Sequence, residues 1–376
     1  MTALTETGSL ADDADRRLAP ALVRQATHHL LSAAPGASTI AVGLHREGRR
    51  ATVVRGATAH HGGVPATAAT RFEIGSATKT FTALLLAEQA ARGELNLDDS
   101  LARHLPAVAT GPAARHTITL THLATHTSAL PGTPPGLPRL LPALCGPLLQ
   151  APLPSRMTAA YAAYTPDHAL RALGRTRLRA RPGTRVRYSN YAVGLLGQAL
   201  SAAAGGIPYP DLLDTRVLRP LGLRETDCTT TAPSGTTQAT GYWHHRAQPP
   251  LRMPALTASG ELRSSTRDLL TVTEALIDPA SATGVPPSLH TALRDVQRPR
   301  LRIPRGTTLL ALVWNIRPRP DGSHLYFHTG GTFGFSTFIG FNPHHRTALV
   351  ALANTSAHRR NNLVQQAYNT LIDLHR

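Results

Sequence analysis

The sequence predicts a mixed α/β protein whose sheet-bearing lobe is assembled from both ends of the chain, with a helical and looped middle between them. Three observations predict it. The stretch Ser38-Thr-Ile-Ala-Val-Gly-Leu-His45 is strand-like, alternating apolar runs fill residues 309–352, and Asn361 to Leu374 has the composition of a closing helix. Residues 80–250 read as helix and loop. A chain of 376 residues exceeds the usual single core, and 41% apolar content with ordinary glycine fits a globular protein. The expected division is a polar tail over 1–21, a sheet domain from 22–80 and 251–376, and a mainly helical domain over 81–250 that carries a Pro/Leu-rich loop at 130–154. No internal repeat is found.

The tail holds Glu6, Asp12, Asp13, Asp15, Arg16 and Arg17 without an apolar h-region, so no secretion signal is expected. No run of eighteen apolar residues exists, which argues against a membrane span. Cys145 and Cys228 are too few and too far apart for a metal knuckle and are expected as free thiols. These readings together predict a cytoplasmic protein.

After the first strand comes Gly75-Ser76-Ala77-Thr78-Lys79, followed by the helix formers Phe81 to Arg92 and by Gly93 as a C′ residue. Lys79 is the only lysine among 39 basic residues. Arginine stays protonated in proteins, whereas a buried lysine loses its proton and accepts one from a neighbouring hydroxyl. Residues three apart share a helix face, which puts Ser76 beside Lys79, with the unbonded N–H groups of the first turn around them. The apolar surround of Phe81, Leu84, Leu85, Leu86 and Ala87 predicts a buried helix.

Two later segments carry chemistry. In Arg187-Tyr188-Ser189-Asn190-Tyr191, an extended backbone would aim Tyr188 and Asn190 the same way, as proton shuttle and substrate hydrogen-bond partner; a buried tyrosine and a turn asparagine would use the same residues. His328-Thr329-Gly330-Gly331 lies between strand-like runs, where its glycines would let backbone approach a ligand or simply make a hairpin turn.

In this order and spacing, Ser76/Lys79, Tyr188/Asn190 and His328/Thr329/Gly330 resemble the three motifs of the penicillin-recognising serine enzymes, which include DD-peptidases, class C β-lactamases and related esterases and acyltransferases. The likeness extends through Phe72 to Ser76, Leu120 to Leu130, Arg219 to Leu223, Ala258 to Leu269 and Ala351 to Ser356, and so covers most of residues 22–376. It implies an antiparallel sheet flanked by N- and C-terminal helices, a helical insertion, and an active site between them. It implies that Ser76 attacks an acyl carbon, that Lys79 and Tyr188 move its proton, and that Asn190, Thr329, Gly330 and Gly331 hold substrate or oxyanion, the last with its N–H beside that of Ser76. His328 replaces the commoner lysine, so activity is expected to change between roughly pH 5.5 and 8, where an unperturbed imidazole titrates. The implied function is a cofactor-free serine hydrolase or acyltransferase acting on an ester, thioester or amide of a small molecule or peptide, with natural-product assembly as one setting. The alternatives are a cytoplasmic DD-peptidase or β-lactamase-like hydrolase, and a sensor that acylates once.

Seven arginines between Arg171 and Arg187 precede Tyr188 and suggest an anionic substrate or an acidic acyl or peptidyl carrier protein; a chain of net charge +17 also has solvated basic faces. Nucleic acid is not expected, for want of a DNA-binding motif or interleaved aromatics. The Pro/Leu-rich loop reads as a wall or lid over an apolar acyl pocket, or as a packed surface insertion. Among 19 histidines, His122 and His126 have helical spacing but lack the glutamate of a zinc protease, so no metal is expected. The adjacent pairs at 28–29, 60–61, 244–245 and 344–345 read as surface or turn residues.

Overall fold

Strand β1 (Thr39–Arg46) is buried along nearly its whole length, and its residues divide by period two between two cores. Ile40, Val42 and Leu44 face one, and Ala41 faces the other. The structure, a computed structural model, describes residues 17–105, 117–137, 152–303 and 306–376. In chain order the remaining strands are β2 (Arg49–Gly56), β3 (Arg71–Glu73), β4 (Tyr242–Trp243), β5 (Arg246–Ala247) and β6 (Arg263–Ser265). They are followed by β7 (Leu301–Arg302), β8 (Leu309–Leu310), β9 (Asn315–Pro318), β10 (His324–Gly331), β11 (Ser336–Asn342) and β12 (Thr347–Ala353). Among the described residues, eight strands make one antiparallel sheet in the order β2-β1-β12-β11-β10-β9-β8-β7. The two ends of the chain thus meet in mid-sheet, where Ile40 pairs with Ala353 and Arg46 with Thr347.

Helices cover both faces, which is why β11 and β12 are buried at every residue. Helix α1 (Pro20–Thr27) lies on the same side as the C-terminal helix Leu363–Asp373, whose Leu363, Ala367 and Leu371 pack on Leu349 and Ala351. The helix Thr266–Ile277 covers the opposite face. A side chain at Gly43 would sit 2.7 Å from Thr266 and 2.8 Å from Leu270, so glycine is what lets that helix approach the sheet. The sequence-based tail boundary moves: residues 1–16 lie outside the described part, Leu18 is already buried, and α1 begins at Pro20.

The central helix α2 (Thr78–Ala91) is buried from Thr78 through Gln89, and Gly93 follows it with φ +74°. It packs against the helices Asn190–Ala203, Thr257–Gly260 and Pro287–Asp295, so the boundary expected between residues 80 and 81 falls inside it. The helical part comprises α3 (Leu120–Ala124), α4 (Leu153–Ala163), α5 (Pro166–Arg175) and α6 (Asn190–Ala203), and the chain returns to the sheet through α7 (Thr257–Gly260). Among the described residues no helix is long and apolar enough to cross a membrane.

Candidate active site

Strand β3 delivers the chain into a tight turn, Gly75–Ala77, ahead of α2. Buried ion pairs anchor that strand: Arg263 meets Glu73 at 3.1 Å, and Arg71 meets Asp227. Both guanidinium groups are wholly buried and take further backbone carbonyls, so their desolvation is compensated by several hydrogen bonds. Gly75 has φ +51°, and a Cβ there would fall 2.6–2.8 Å from the backbone of Gly331. A Cβ on Gly330 would stand 1.9 Å from the Ile74 carbonyl oxygen. The end of β10 is therefore pressed against the serine turn, which explains Gly75 and Gly330, whereas a Cβ on Gly331 would meet only the Phe335 carbonyl oxygen at 3.8 Å.

The turn leaves Ser76 partly accessible and places its Oγ 3.1 Å from Lys79 Nζ. Lys79 is fully buried, and its other contacts are Asn190 Oδ1 at 2.8 Å and the Ser259 carbonyl oxygen at 2.5 Å. Burial pulls its amine well below the ordinary lysine value, and no carboxylate of the described residues opposes it. A neutral amine has two N–H donors and one lone pair. With Asn190 Oδ1 and the Ser259 carbonyl as acceptors, the lone pair is left to face Ser76.

Asn190 reaches Lys79 from the first turn of α6, not from a strand: Ser189 is the N-cap, its Oγ accepting the Ala192 N–H at 2.9 Å. The extended geometry expected here holds at Ser189, with φ −143° and ψ 112°, and gives way to helix at Asn190, and Tyr188 and Asn190 reach the same serine and lysine. Tyr188 as a whole is 46% exposed, but desolvation on the side facing Ser76 and Lys79 pushes its phenol up to about 12, against the opposing pull of a hydrogen bond to Ser76. Its ring lies 4.9 Å from Lys79 Nζ. The phenol stays protonated at neutral pH and can give a proton but not start by taking one.

His328 corrects the expected pH dependence. Burial, and then the neighbouring Lys79, hold its imidazole at about 3, and its Nδ1–H donates to the Thr329 carbonyl at 2.8 Å. It is neutral across the whole range from pH 5.5 to 8, so it supplies no titration there. Past His328 the ladder decides where amides point. Thr332 N–H donates to Phe335 O at 3.1 Å, so Gly331 opposite Ser336 is a pair without mutual hydrogen bonds. The Thr329 and Gly331 amides accordingly face the other edge, where β9 has already ended opposite Phe327. The Gly331 N–H is left directed at the serine turn, where the Ser76 N–H has no helical acceptor.

Two groups were not found from sequence. The Ser259 carbonyl is backbone and leaves no residue-type signature. His126 lies past the end of α3 with φ +58°, buried, its ring 4.4 Å from that of Tyr188. Burial, Lys79 and His328 hold it at about 3. Its Nδ1 accepts the Ser189 N–H at 3.4 Å, and its buried Nε2 has no partner. His122 instead accepts the Thr119 N–H as part of a capping box, so the helical spacing of these two histidines is not a ligand pair.

A family model described as Beta-lactamase matches residues 23–369. The chain belongs to the beta-lactamase family. It is similar to the D-alanyl-D-alanine-carboxypeptidase/endopeptidase AmpH of Escherichia coli (strain K12), 34% identical over 157 residues, which are 42% of this chain and 36% of that protein. A beta-lactamase of Pseudomonas fluorescens is 33% identical over 223 residues, 57% of this chain and 53% of the relative. Protein flp of Staphylococcus aureus (strain MW2) is 26% identical over 325 residues, 82% of this chain and 58% of the relative. The matches thus span between 36% and 58% of these relatives' lengths. Membership of the beta-lactamase family supports serine-hydrolase chemistry in general terms.

Other expectations meet the structure as follows. Cys228 is a free thiol, and Cys145 lies outside the described residues. Of the Pro/Leu-rich loop, residues 138–151 also lie outside them, while Pro131, Pro135 and Gly136 wall a cavity of mixed lining in which Ala129, Ala172 and Tyr164 stand beside five arginines. His345 is more than a surface residue, since Asp321, His345 and His375 bring donor atoms within 4.8 Å of one another. Asp321 and His345 satisfy each other at 2.8 Å, however, and Arg319 and Arg376 line the same recess, which disfavours a cation.

Proposed function

We propose that the protein is a serine-dependent acyl-enzyme hydrolase or acyltransferase. The observation that carries this is the buried, carboxylate-free Lys79, its Nζ 3.1 Å from Ser76 Oγ and its other contacts two oxygen acceptors. Lys79 takes the hydroxyl proton as Ser76 Oγ bonds to the acyl carbon. The carbonyl oxygen becomes an oxyanion held by the N–H groups of Ser76 and Gly331, a contribution of about 3 kcal/mol per donor where such groups have been removed in other enzymes. Tyr188 passes a proton to the departing alcohol, thiol or amine and is reprotonated from Lys79, which closes the proton balance. Asn190 keeps its amide N–H₂ for the substrate while its oxygen holds Lys79, and Thr329 and Gly330 form the strand edge along which the substrate lies. His328 is a neutral partner in the wall. A second nucleophile then repeats the sequence in reverse, and its identity as water, alcohol or amine separates hydrolase from transferase.

The name of the Escherichia coli relative, a D-alanyl-D-alanine-carboxypeptidase/endopeptidase, makes a D-alanyl-D-alanine peptide the first amide to try, with penicillin as its cyclic counterpart. The test is time-resolved intact mass of the wild type and Ser76→Ala with penicillin, a simple ester and an acyl thioester. A Ser76-dependent adduct that decays in water identifies a hydrolase. One that persists until an amine or alcohol is added identifies a transferase, and one that nothing releases, a sensor. No adduct from any donor would remove the acyl-enzyme assignment for these substrate classes.

A further inference from the structure

Between Asp99 and Asp211 the chain carries one acidic residue, Asp167, against eleven arginines. Five of these, Arg171, Arg175, Arg177, Arg179 and Arg187, line one cavity of about 620 Å³. Helix α5 buries Ala169 and Leu173, which leaves Arg171 and Arg175 one turn apart on its exposed side. Like charges at that spacing repel, so the arrangement weakens the helix unless an anion lies between them. Among the described residues none of the five guanidinium groups has a carboxylate within ion-pair distance. Arg92, Arg103, Arg219 and Arg300 elsewhere each find one, so arginine richness alone does not explain the unpaired set.

The cavity shares a wall with the candidate active site. Arg187 immediately precedes Tyr188, and its N–H donates to the His126 carbonyl at 2.7 Å. Pro131, which lines the cavity, accepts from Ser189 Oγ at 2.6 Å, and the next residue, Gly132, accepts the Asn190 N–H at 2.9 Å. The opposite side is fixed by Tyr164, whose hydroxyl donates to the Pro135 carbonyl at 3.0 Å. A guanidinium fork matches the paired oxygens of a phosphate and stays charged at every working pH. Five such forks exceed what one carboxylate would neutralise. The concave shape, of a size typical of small-molecule sites, suits a compact polyanion better than the broad acidic face of a protein.

We propose that this cavity binds a phosphate or diphosphate group, and that the acyl compounds presented to Ser76 carry such a group. The anion site stands on its own geometry, and only its service to Ser76 rests on the acyl-enzyme reading. Inorganic pyrophosphate is titrated calorimetrically at low ionic strength into the wild type, Ser76→Ala, an Arg171→Gln/Arg175→Gln double variant and an Arg359→Gln/Arg360→Gln double variant that removes the same charge outside the cavity. The expected result is the same Kd for the wild type, Ser76→Ala and the 359/360 pair, and binding at least tenfold weaker in the 171/175 pair. An Arg177→Gln/Arg179→Gln pair repeats the test on a non-helical segment should the helix variant unfold. Equal weakening by the 359/360 pair would reduce the effect to bulk charge and overturn the proposal, as would absence of pyrophosphate binding to the wild type. Retention of an acidic acyl carrier protein without pyrophosphate binding would also overturn it, in favour of a protein partner. For the substrate half, the kcat/KM ratio of a phosphate-bearing acyl ester to its phosphate-free counterpart should fall at least tenfold in the 171/175 pair. An unchanged ratio would detach the anion site from the substrate. Turnover surviving in Ser76→Ala would sink the acyl-enzyme reading while the pyrophosphate titration still judged the cavity.

Discussion

Replacing Lys79 with arginine separates a proton acceptor from a mere positive charge. The position is wholly buried, its contacts are a hydroxyl, an amide oxygen and a carbonyl, and no carboxylate of the described residues compensates a fixed cation. Arginine cannot become neutral there, so the Ser76 proton has no base. A positioned general base contributes roughly 10²–10⁴ in rate, and the acylation rate of Lys79→Arg is expected to fall about 10³-fold, read by intact mass against time with a simple ester. Wild-type acylation should rise with pH through the depressed lysine value and then level off, because the deprotonated form is the active one. Stability gives an independent check through Lys79→Met. Burial penalises the charged amine, so the unfolded chain binds a proton that the folded one does not, from the folded value up to about 10.4. Wild-type stability should therefore rise with pH across that window by about 1.4 kcal/mol per unit from this group, and Lys79→Met should lack that slope. An arginine variant that acylates within tenfold of wild type, or parallel stability curves for wild type and Lys79→Met, would refute the neutral-base reasoning.

Tyr188→Phe should slow acylation by an amide about 10²-fold while affecting an activated ester far less, since only the poor leaving group needs the phenol proton; an equal effect on both would assign the ring a packing role. Gly330→Ala should abolish acylation and lower Tm, because its methyl carbon would stand 1.9 Å from the Ile74 carbonyl, and a variant of wild-type rate and Tm would contradict that contact. His126 and His328 are held neutral down to about 3, against about 6.5 when unfolded, so the unfolded state binds the extra protons and stability is lost as the pH is lowered across that window. Melting curves should show His126→Phe losing less stability than wild type between pH 6.5 and 3; parallel curves would place the imidazole proton elsewhere.

Ser76 and Lys79 were legible because a serine three residues before a lysine at the start of an apolar helix encodes their proximity locally. Tyr188, Asn190 and His328 were legible only as a set, since each alone suits a structural role, and the extended backbone expected at Ser189 is present but stops there, because its hydroxyl caps a helix that starts at Asn190. The titration of His328 was misjudged for a plain reason: burial next to Lys79 is a tertiary fact, and sequence supplies only the imidazole's ordinary value. The same holds for His126, whose left-handed turn off α3 brings it to Tyr188. For the sheet, the apolar runs of β1, β11 and β12 announced strands, but two-residue strands such as β7 and β8 are too short for any periodicity to show.

The division between the single lysine and the many arginines follows from one physical difference. Charge that must persist in contact with solvent or ligand is carried by guanidinium groups, as in the five that line the cavity beside Tyr188. Charge that must vanish on burial is assigned to the one amine able to lose its proton, and the residues around it keep that loss favourable. His126 and His328 are both held neutral, Tyr188 is held protonated, and the ion pairs that secure the nearby strand β3 are closed on themselves at Glu73 and Asp227. A carboxylate introduced against Lys79 would reverse this by restoring the ammonium. Asn190→Asp, which puts an anion in place of the amide oxygen 2.8 Å from Nζ, should therefore raise the lysine pKa and move the acylation rate profile to higher pH. An unshifted profile would mean that the lysine already carries its proton and that another group receives the one from Ser76.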